Sequence, residues 1–158
     1  MQYAGLILND LAAAPGLCVT FFTQGCPHKC PGCQNPETWD FRGGLTFNTD
    51  VLDQIIEGIK AQGIQRNLCI MGGEPLCPQN TFLTYLVASS VKEKYPDTKV
   101  YIWTGYIYED LVAQNDLRLN QIFNITDYII DGPYISYLRD ITLPMRGSSN
   151  QRIIDLKK

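Results

Sequence analysis

The run Gly25-Cys26-Pro27-His28-Lys29-Cys30-Pro31-Gly32-Cys33-Gln34-Asn35 places three thiols within eight residues, spaced C-x3-C-x2-C. Cys thiolates ligate zinc and iron-sulfur clusters. Pro27, Pro31 and Gly32 suit a tight turn rather than a helix, so a loop this short can converge its sulfurs on one point. Three thiolates are one short of a closed four-thiolate shell. A cubane 4Fe-4S cluster held by Cys26, Cys30 and Cys33 has one iron without a protein thiolate and room there for another ligand, just as catalytic zinc sites keep a position open. The spacing alone leaves zinc open too, since His28 can complete a set of three thiolates and one imidazole.

A second stretch, Gly72-Gly73-Glu74-Pro75, follows the apolar run Leu68 to Met71 about forty residues later. Two glycines let bare backbone approach a ligand, and a carboxylate accepts an N–H bond more strongly than a neutral oxygen does. Read blandly, the same residues are a strand-to-helix turn.

The elements that must position these stretches are legible as periodicity. Leu17 to Phe22 reads as the first strand, delivering the cysteine loop at its end, and Trp39 to Phe47 as a connecting loop. From Thr49, Val51, Leu52, Ile55, Ile56 and Ile59 mark an amphipathic helix, with Asp50 and Asp53 in its first turn and Gly63 as a stop. Leu68 to Met71 is a second strand. Leu83, Leu86, Val87 and Val91 mark a second helix that must stop before Pro96. Lys99 to Thr104 is a third strand, Tyr108 to Phe123 a helical stretch broken near Asn115-Asp116, Asp127 to Ile130 a fourth strand and Gln151 to Ile154 a last one. The alternation predicts an α/β fold with a mostly parallel sheet, either open or a partial barrel. Cys26, Gly72-Gly73-Glu74, Thr104-Gly105-Tyr106 and Asp131-Gly132 each follow a strand. They are therefore expected at the carboxyl edge of the sheet, where α/β sites form.

At 158 residues the chain is expected to be a single domain over 1–158, burying roughly 70% of its unfolded surface. Its apolar fraction of 45% and charged fraction of 18% fit a compact soluble protein. A net charge of -3 supplies no basic field for a phosphate backbone, so no nucleic-acid partner is expected. Met1-Gln2-Tyr3-Ala4 lacks a positive n-region, and no apolar run approaches the ~20 residues of a membrane span. The expectation is a cytoplasmic protein without a membrane partner, its six cysteines reduced and free for a metal.

The three-cysteine spacing followed by Gly72-Gly73-Glu74-Pro75 resembles the radical S-adenosylmethionine (SAM) superfamily. Phe21 to Cys33, Thr38-Trp39, Gly72 to Asn80, Trp103 to Tyr106, Asp131-Gly132 and Arg146-Gly147-Ser148-Ser149-Asn150-Gln151 narrow the resemblance to the activating proteins of anaerobic ribonucleoside-triphosphate reductase. It implies a partial (β/α) barrel of radical-SAM type, with about six strands or fewer. It further implies one 4Fe-4S cluster on Cys26, Cys30 and Cys33, with SAM on the fourth iron through its amino and carboxylate groups. An external low-potential electron donor reduces the cluster, SAM is cleaved, and the 5'-deoxyadenosyl radical makes a glycyl radical on the reductase large subunit.

The same resemblance assigns Gly72, Gly73 and Glu74 to the methionyl amino group and backbone of Gly32 and Gln34 to the adenine edge. Thr104 and Asp131 become candidates for SAM hydroxyl or amino groups, and Arg146 for the methionyl carboxylate or a partner's backbone. Their bland readings are a strand-end cap, a turn and a solvated charge. Two departures stand out. Gly32 occupies the place where many radical-SAM proteins carry an adenine-contacting aromatic, although Cys-Pro-Gly-Cys is itself frequent in the narrower group. Ala13-Ala14-Pro15-Gly16 replaces a usual Asn-Gly-Pro-Gly.

Alternatives within this chemistry are a radical-SAM enzyme acting on a small molecule, of deazapurine-precursor type, and an activase of another glycyl radical enzyme. A ferredoxin-like carrier would need a fourth thiolate, which neither Cys69 nor Cys77 supplies at ferredoxin spacing. A zinc module would leave Gly72 to Pro75 without a purpose. Cys18 and Cys69 fall within apolar strands, where free Cys is a small hydrophobe, and Cys77 reads as a bystander in a loop.

Overall fold

The computed structural model describes residues 1–158. Seven strands form one sheet: β1 (Gln2–Asp10), β2 (Cys18–Thr23), β3 (Leu45–Thr46), β4 (Asn67–Gly72), β5 (Val100–Trp103), β6 (Tyr128–Asp131) and β7 (Arg152–Asp155). Their order is β3-β1-β2-β4-β5-β6-β7. The central β2, β4, β5 and β6 run parallel, while β1, β3 and β7 join antiparallel. The expected α/β class and mostly parallel sheet are found. The count differs from the six or fewer that the resemblance implied, and Leu17 to Phe22 is the second strand, not the first. Two strands were not anticipated: the two-residue β3, inside the expected connecting loop Trp39 to Phe47, and β1, which contains Ala4 and Gly5 and is only half-buried, so neither β propensity nor alternation marks it. Pairing with β2 imposes its conformation, through partners such as Leu6 with Phe21 and Ile7 with Thr20.

Four helices follow the expected pattern: α1 (Thr49–Ile59), α2 (Thr81–Lys94), α3 (Tyr108–Ala113) and α4 (Leu117–Asn124). The Asn48 side chain accepts from the Val51 N–H at 3.1 Å and starts α1. The Tyr108 to Phe123 stretch does break where Asn115-Asp116 suggested: Asn115 takes a φ of 47°, and Asp116 caps α4 by accepting from the Leu119 N–H at 3.0 Å. No helix is long and apolar enough to cross a membrane.

The period of two along each strand sorts side chains onto two unlike faces. Val19, Phe21, Leu68, Ile70, Val100, Ile102 and Ile129 pack with Ile55 and Ile59 of α1, Val87 and Val91 of α2, Leu111 of α3 and Ile122 of α4 in one cluster. The alternate residues Cys18, Cys69, Tyr101 and Ile130 form a separate, smaller cluster. It is flanked by Met71, Trp103 and Met145 and contains no helical residue. Helices therefore cover one face, and the other is left for loops.

At the β6–β7 edge, the Asp131 carboxylate is 1% exposed. It accepts from both Nε and Nη2 of Arg152, and from the Tyr108 N–H at 2.8 Å. Arg152 also reaches the exposed Glu109, whose carboxyl it holds below the usual range through their hydrogen bonds. The Arg152→Ala variant strands a buried carboxylate on a single donor. Urea denaturation is expected to show a loss of about 2 kcal/mol, largely recovered when Asp131→Asn is added.

Candidate active site

The carboxyl ends of the four parallel strands converge with the returning segment 133–151 around one cavity of about 480 Å³. Cys26, Cys30, Cys33 and Gln34 line it after β2, Gly72, Gly73 and Glu74 after β4, Thr104 and Gly105 after β5, and Gly132 after β6. Met71, Trp103, Tyr134, Leu143 and Met145 supply an apolar wall, and Arg146 and Gln151 polar groups. Gathering of the strand ends at one edge was expected; the large part taken by residues 134–151 was not.

The cysteine loop leaves β2 through Gln24 and Gly25. Gly25 N–H donates to the Thr38 carbonyl at 2.6 Å and Cys26 N–H to the Trp39 carbonyl at 3.2 Å, so the short 3-10 turn Pro36–Thr38 fixes where the loop begins. Within it, Cys33 N–H donates to the Cys30 carbonyl at 3.1 Å, and Asn35 N–H to Cys33 Sγ at 3.4 Å. Burial pushes the Cys26 thiol above its ordinary range, with the backbone at His28 and Lys29 pulling the other way.

All three loop thiols are half-buried and line the same cavity. No three His, Cys, Asp or Glu side chains are drawn together tightly enough to hold one metal ion, however, so the sulfurs do not meet at a single point as the short loop suggested. The donor set is three thiols lining one cavity, which fits a 4Fe-4S cluster with one iron left open. His28, which could have completed a zinc set, bonds elsewhere. Its Nε2 lies 2.7 Å from Glu74 Oε1.

The Gly-Gly-Glu stretch shows why bare backbone is needed there. Gly72 sits at a φ of 105°, in the left-handed region. A Cβ on Gly73 would lie on the Gly25 carbonyl oxygen. That carbonyl accepts from Glu74 N–H at 2.8 Å and from Asn80 Nδ2 at 3.1 Å, which locks the β4 loop to the start of the cysteine loop.

Glu74 itself is buried and fully engaged. Oε1 accepts from His28 Nε2 and from Gly105 N–H, each at 2.7 Å; Oε2 accepts from Leu76 N–H and Thr104 Oγ1, each at 2.8 Å. Four donors use the four lone-pair positions of a carboxylate. Thr104 Oγ1 is likewise occupied, also accepting from Tyr106 N–H at 3.1 Å. Asp131 does not line the cavity, its carboxylate facing Arg152 and α3. Arg146 does line it and is held by weak bonds to carbonyls of Pro144 at 3.3 Å and Gln151 at 3.4 Å.

Gly32 is not among the lining residues. A Cβ there would stand 3.5 Å from the Tyr134 ring, and one on Gly147 would stand 3.0 Å from the same ring. Tyr134 thus lies beside position 32, in ordinary contact distance of where a Cβ there would stand. Sequence reading missed it; its place two residues after Gly132, at a strand end, was the available signal.

Residues 12–154 match the family described as a 4Fe-4S single cluster domain, and the chain belongs to it. Relatives define the membership further. The chain is 34% identical over 158 residues to the anaerobic ribonucleoside-triphosphate reductase-activating protein of Escherichia coli (strain K12), covering 99% of this chain and 100% of that one. It is 36% identical to that of Pasteurella multocida (strain Pm70), over 97% and 96% of the two chains. It is 35% identical to that of Enterobacteria phage T4, over 97% and 93%. The chain belongs to the family of anaerobic ribonucleoside-triphosphate reductase-activating proteins.

The contact between Gly73 and Gly25 gives a direct test. Gly73→Ala should cost about 2 kcal/mol in urea denaturation, because two locked backbones must separate. Gly5→Ala, whose Cβ meets only Phe22 Cδ2 at 3.9 Å, should be close to neutral.

Proposed function

We propose that this chain is a radical-SAM activase whose open sheet is a partial (β/α) barrel and whose partner is the large subunit of anaerobic ribonucleoside-triphosphate reductase. The observation that carries the reading is a single cavity bringing three thiols, and so a cluster with one open iron, against the bare backbone of Gly72 and Gly73. Full-length similarity to activating proteins of that reductase supports the choice of partner. When bound, the cluster would supply one-electron reduction of SAM, the electron coming from an external low-potential donor; the products would be methionine and a 5'-deoxyadenosyl radical, which would take a hydrogen atom from a glycine of the partner.

The chain's own residues hold, orient and shield. Cys26, Cys30 and Cys33 hold the cluster. Backbone carbonyls of Gly72 and Gly73 receive the methionyl amino group, with Glu74 and Thr104 serving them from behind by fixing the loops. Arg146 faces the methionyl carboxylate. Backbone of Gln34 meets the adenine edge, Gly32 standing outside the lining, and Tyr134 offers the aromatic surface that position 32 lacks. Asp131 acts from outside the cavity, by fixing the turn into Gly132. Met71, Trp103 and Met145 present no acidic hydrogen or charge and keep water from the reacting end. A cavity of about 480 Å³ is in the range of small-molecule sites, and a ligand the size of SAM leaves little room for a second substrate. A flexible glycine-bearing loop fits the remaining opening, because it brings no side chain.

Two experiments test the reading. With anaerobically reconstituted protein and a strong reductant, replacing any one of Cys26, Cys30 and Cys33 by Ala should abolish SAM cleavage, while Cys18→Ala should retain it. A Cys30→Ala variant that kept a full cluster and cleaved SAM would sink the assignment. Reduced protein, SAM and the reductase large subunit together should give a doublet glycyl-radical signal in electron paramagnetic resonance, with 5'-deoxyadenosine formed in step. Brisk SAM cleavage with no radical on that partner, but consumption of a purine-like compound, would favour the small-molecule reading; a radical on a different glycyl radical enzyme would reassign the partner.

A further inference from the structure

We infer that His28 is a positioning residue: the single hydrogen-bonded pin that fixes residues 27–32, the middle of the cysteine loop, to the loops that receive the ligand. The inference rests on the cluster-loop reading above, but its core is a feature of the chain alone. Between Cys26 and Cys33, no backbone group of residues 27–32 bonds to any other segment; the only backbone bond there, from Cys33 N–H to the Cys30 carbonyl, is internal. Among side chains of the same six residues, His28 alone makes a hydrogen bond, to Glu74. The thiols of Cys30 and Cys33 therefore lie on a segment tied down at its ends and at one imidazole.

The pin is built on both sides. A carboxylate only accepts, so Nε2 of His28 carries the proton and donates. Glu74 is fixed in turn by Thr104, Gly105 and Leu76, so one bond couples the cysteine loop to the ends of both β4 and β5. The ring packs edge-on against Tyr106, with centroids 4.5 Å apart. Gly105 leaves the slot open: a Cβ there would stand 2.6 Å from His28 Cδ2 and 2.8 Å from Nε2. Gly105→Ala should therefore expel the imidazole while leaving residue 28 unchanged.

These features give a test with two independent arms, on the full chain. In the first, carried out without cluster, amide order parameters of residues 28–30 and 32 should fall in H28A and in G105A from the rigid range near 0.85 toward values below about 0.6. The double variant should be no looser than either single one, because both remove the same bond. In the second, on reconstituted protein, iron and sulfide per chain should stay at the wild-type level. The Kd for SAM, read from the spectrum of the reduced cluster, should rise about tenfold in H28A and G105A, with H28Q recovering much of the loss through its own N–H donor. Unchanged order parameters and Kd in H28A would reduce the contact to packing and overturn the inference. So would multiplicative effects in the double variant, or loss of iron from H28A, which would make His28 a ligand. If wild-type protein binds no SAM at all, the proposed function fails, while the order parameters still decide the role of His28.

Discussion

A charged carboxylate withdrawn from water is tolerated only when donors replace its hydration, and Glu74 is such a group. Its four partners come from three different connections: His28 from the loop after β2, Leu76 from its own loop after β4, and Thr104 with Gly105 from the loop after β5. None of the bonded stretches themselves lies in a helix or strand, and the 3-10 turn Pro36–Thr38 fixes only where the cysteine loop begins. The carboxylate is the common point that relates them. Loss of any donor leaves part of a buried charge unsatisfied, so each loop is held in place by the demand of the other two. Rigid strands set where the loops start, and Glu74 sets how they sit relative to each other.

The unequal faces of the sheet explain why the cavity lies where it does. The helices satisfy the apolar side chains of one face, from Val19 across to Ile129. On the other, the cluster around Cys18, Cys69, Tyr101 and Ile130 is small, and Met71 and Trp103 at the strand ends extend it to the cavity. Residues 133–151 complete that wall. Trp103 Nε1 donates to the Met145 carbonyl at 2.8 Å, and the Gln151 amide accepts from Gly147 and Ser148 N–H groups while donating to the Gly132 carbonyl. A segment with almost no regular structure is thereby tied to the strand ends by side chain to backbone bonds.

What was legible in the sequence follows from how local each cause is. The parallel strands and α1, α2 and α4 were readable because burial on a fixed period leaves a pattern within a few residues, and the strand ends pointed to the cavity through Cys26, Gly72 and Thr104. The strand β1 was not, because its conformation comes from pairing with β2 rather than from its own composition. The hydrogen bonding of Glu74 was not legible for a similar reason. A carboxylate after two glycines looks free to meet a ligand, and only the fold brings His28, from 46 positions earlier, and Thr104, from 30 positions later, onto its oxygens. Tyr134 beside Gly32 is of the same kind, two residues a hundred positions apart, with only its place after the strand-end Gly132 as a local trace.

The six cysteines show how placement decides chemistry for one residue type. Cys18 and Cys69 are fully buried on neighbouring strands, and the neighbouring Cys18 thiol, followed by burial, pushes the Cys69 thiol far upward. Cys77, also buried, is pushed up to about 11, chiefly by desolvation, and its S–H donates to the Glu74 carbonyl at 3.2 Å. Cys18, Cys69 and Cys77 are buried, and none of them lines the cavity. Cys26, Cys30 and Cys33 remain: half-buried, accessible from one side, and carried on a loop that has few bonds of its own. Which three of the six cysteines are accessible is therefore a matter of burial. It leaves the thiols of Cys26, Cys30 and Cys33 facing the cavity that Gly72 and Gly73 also line.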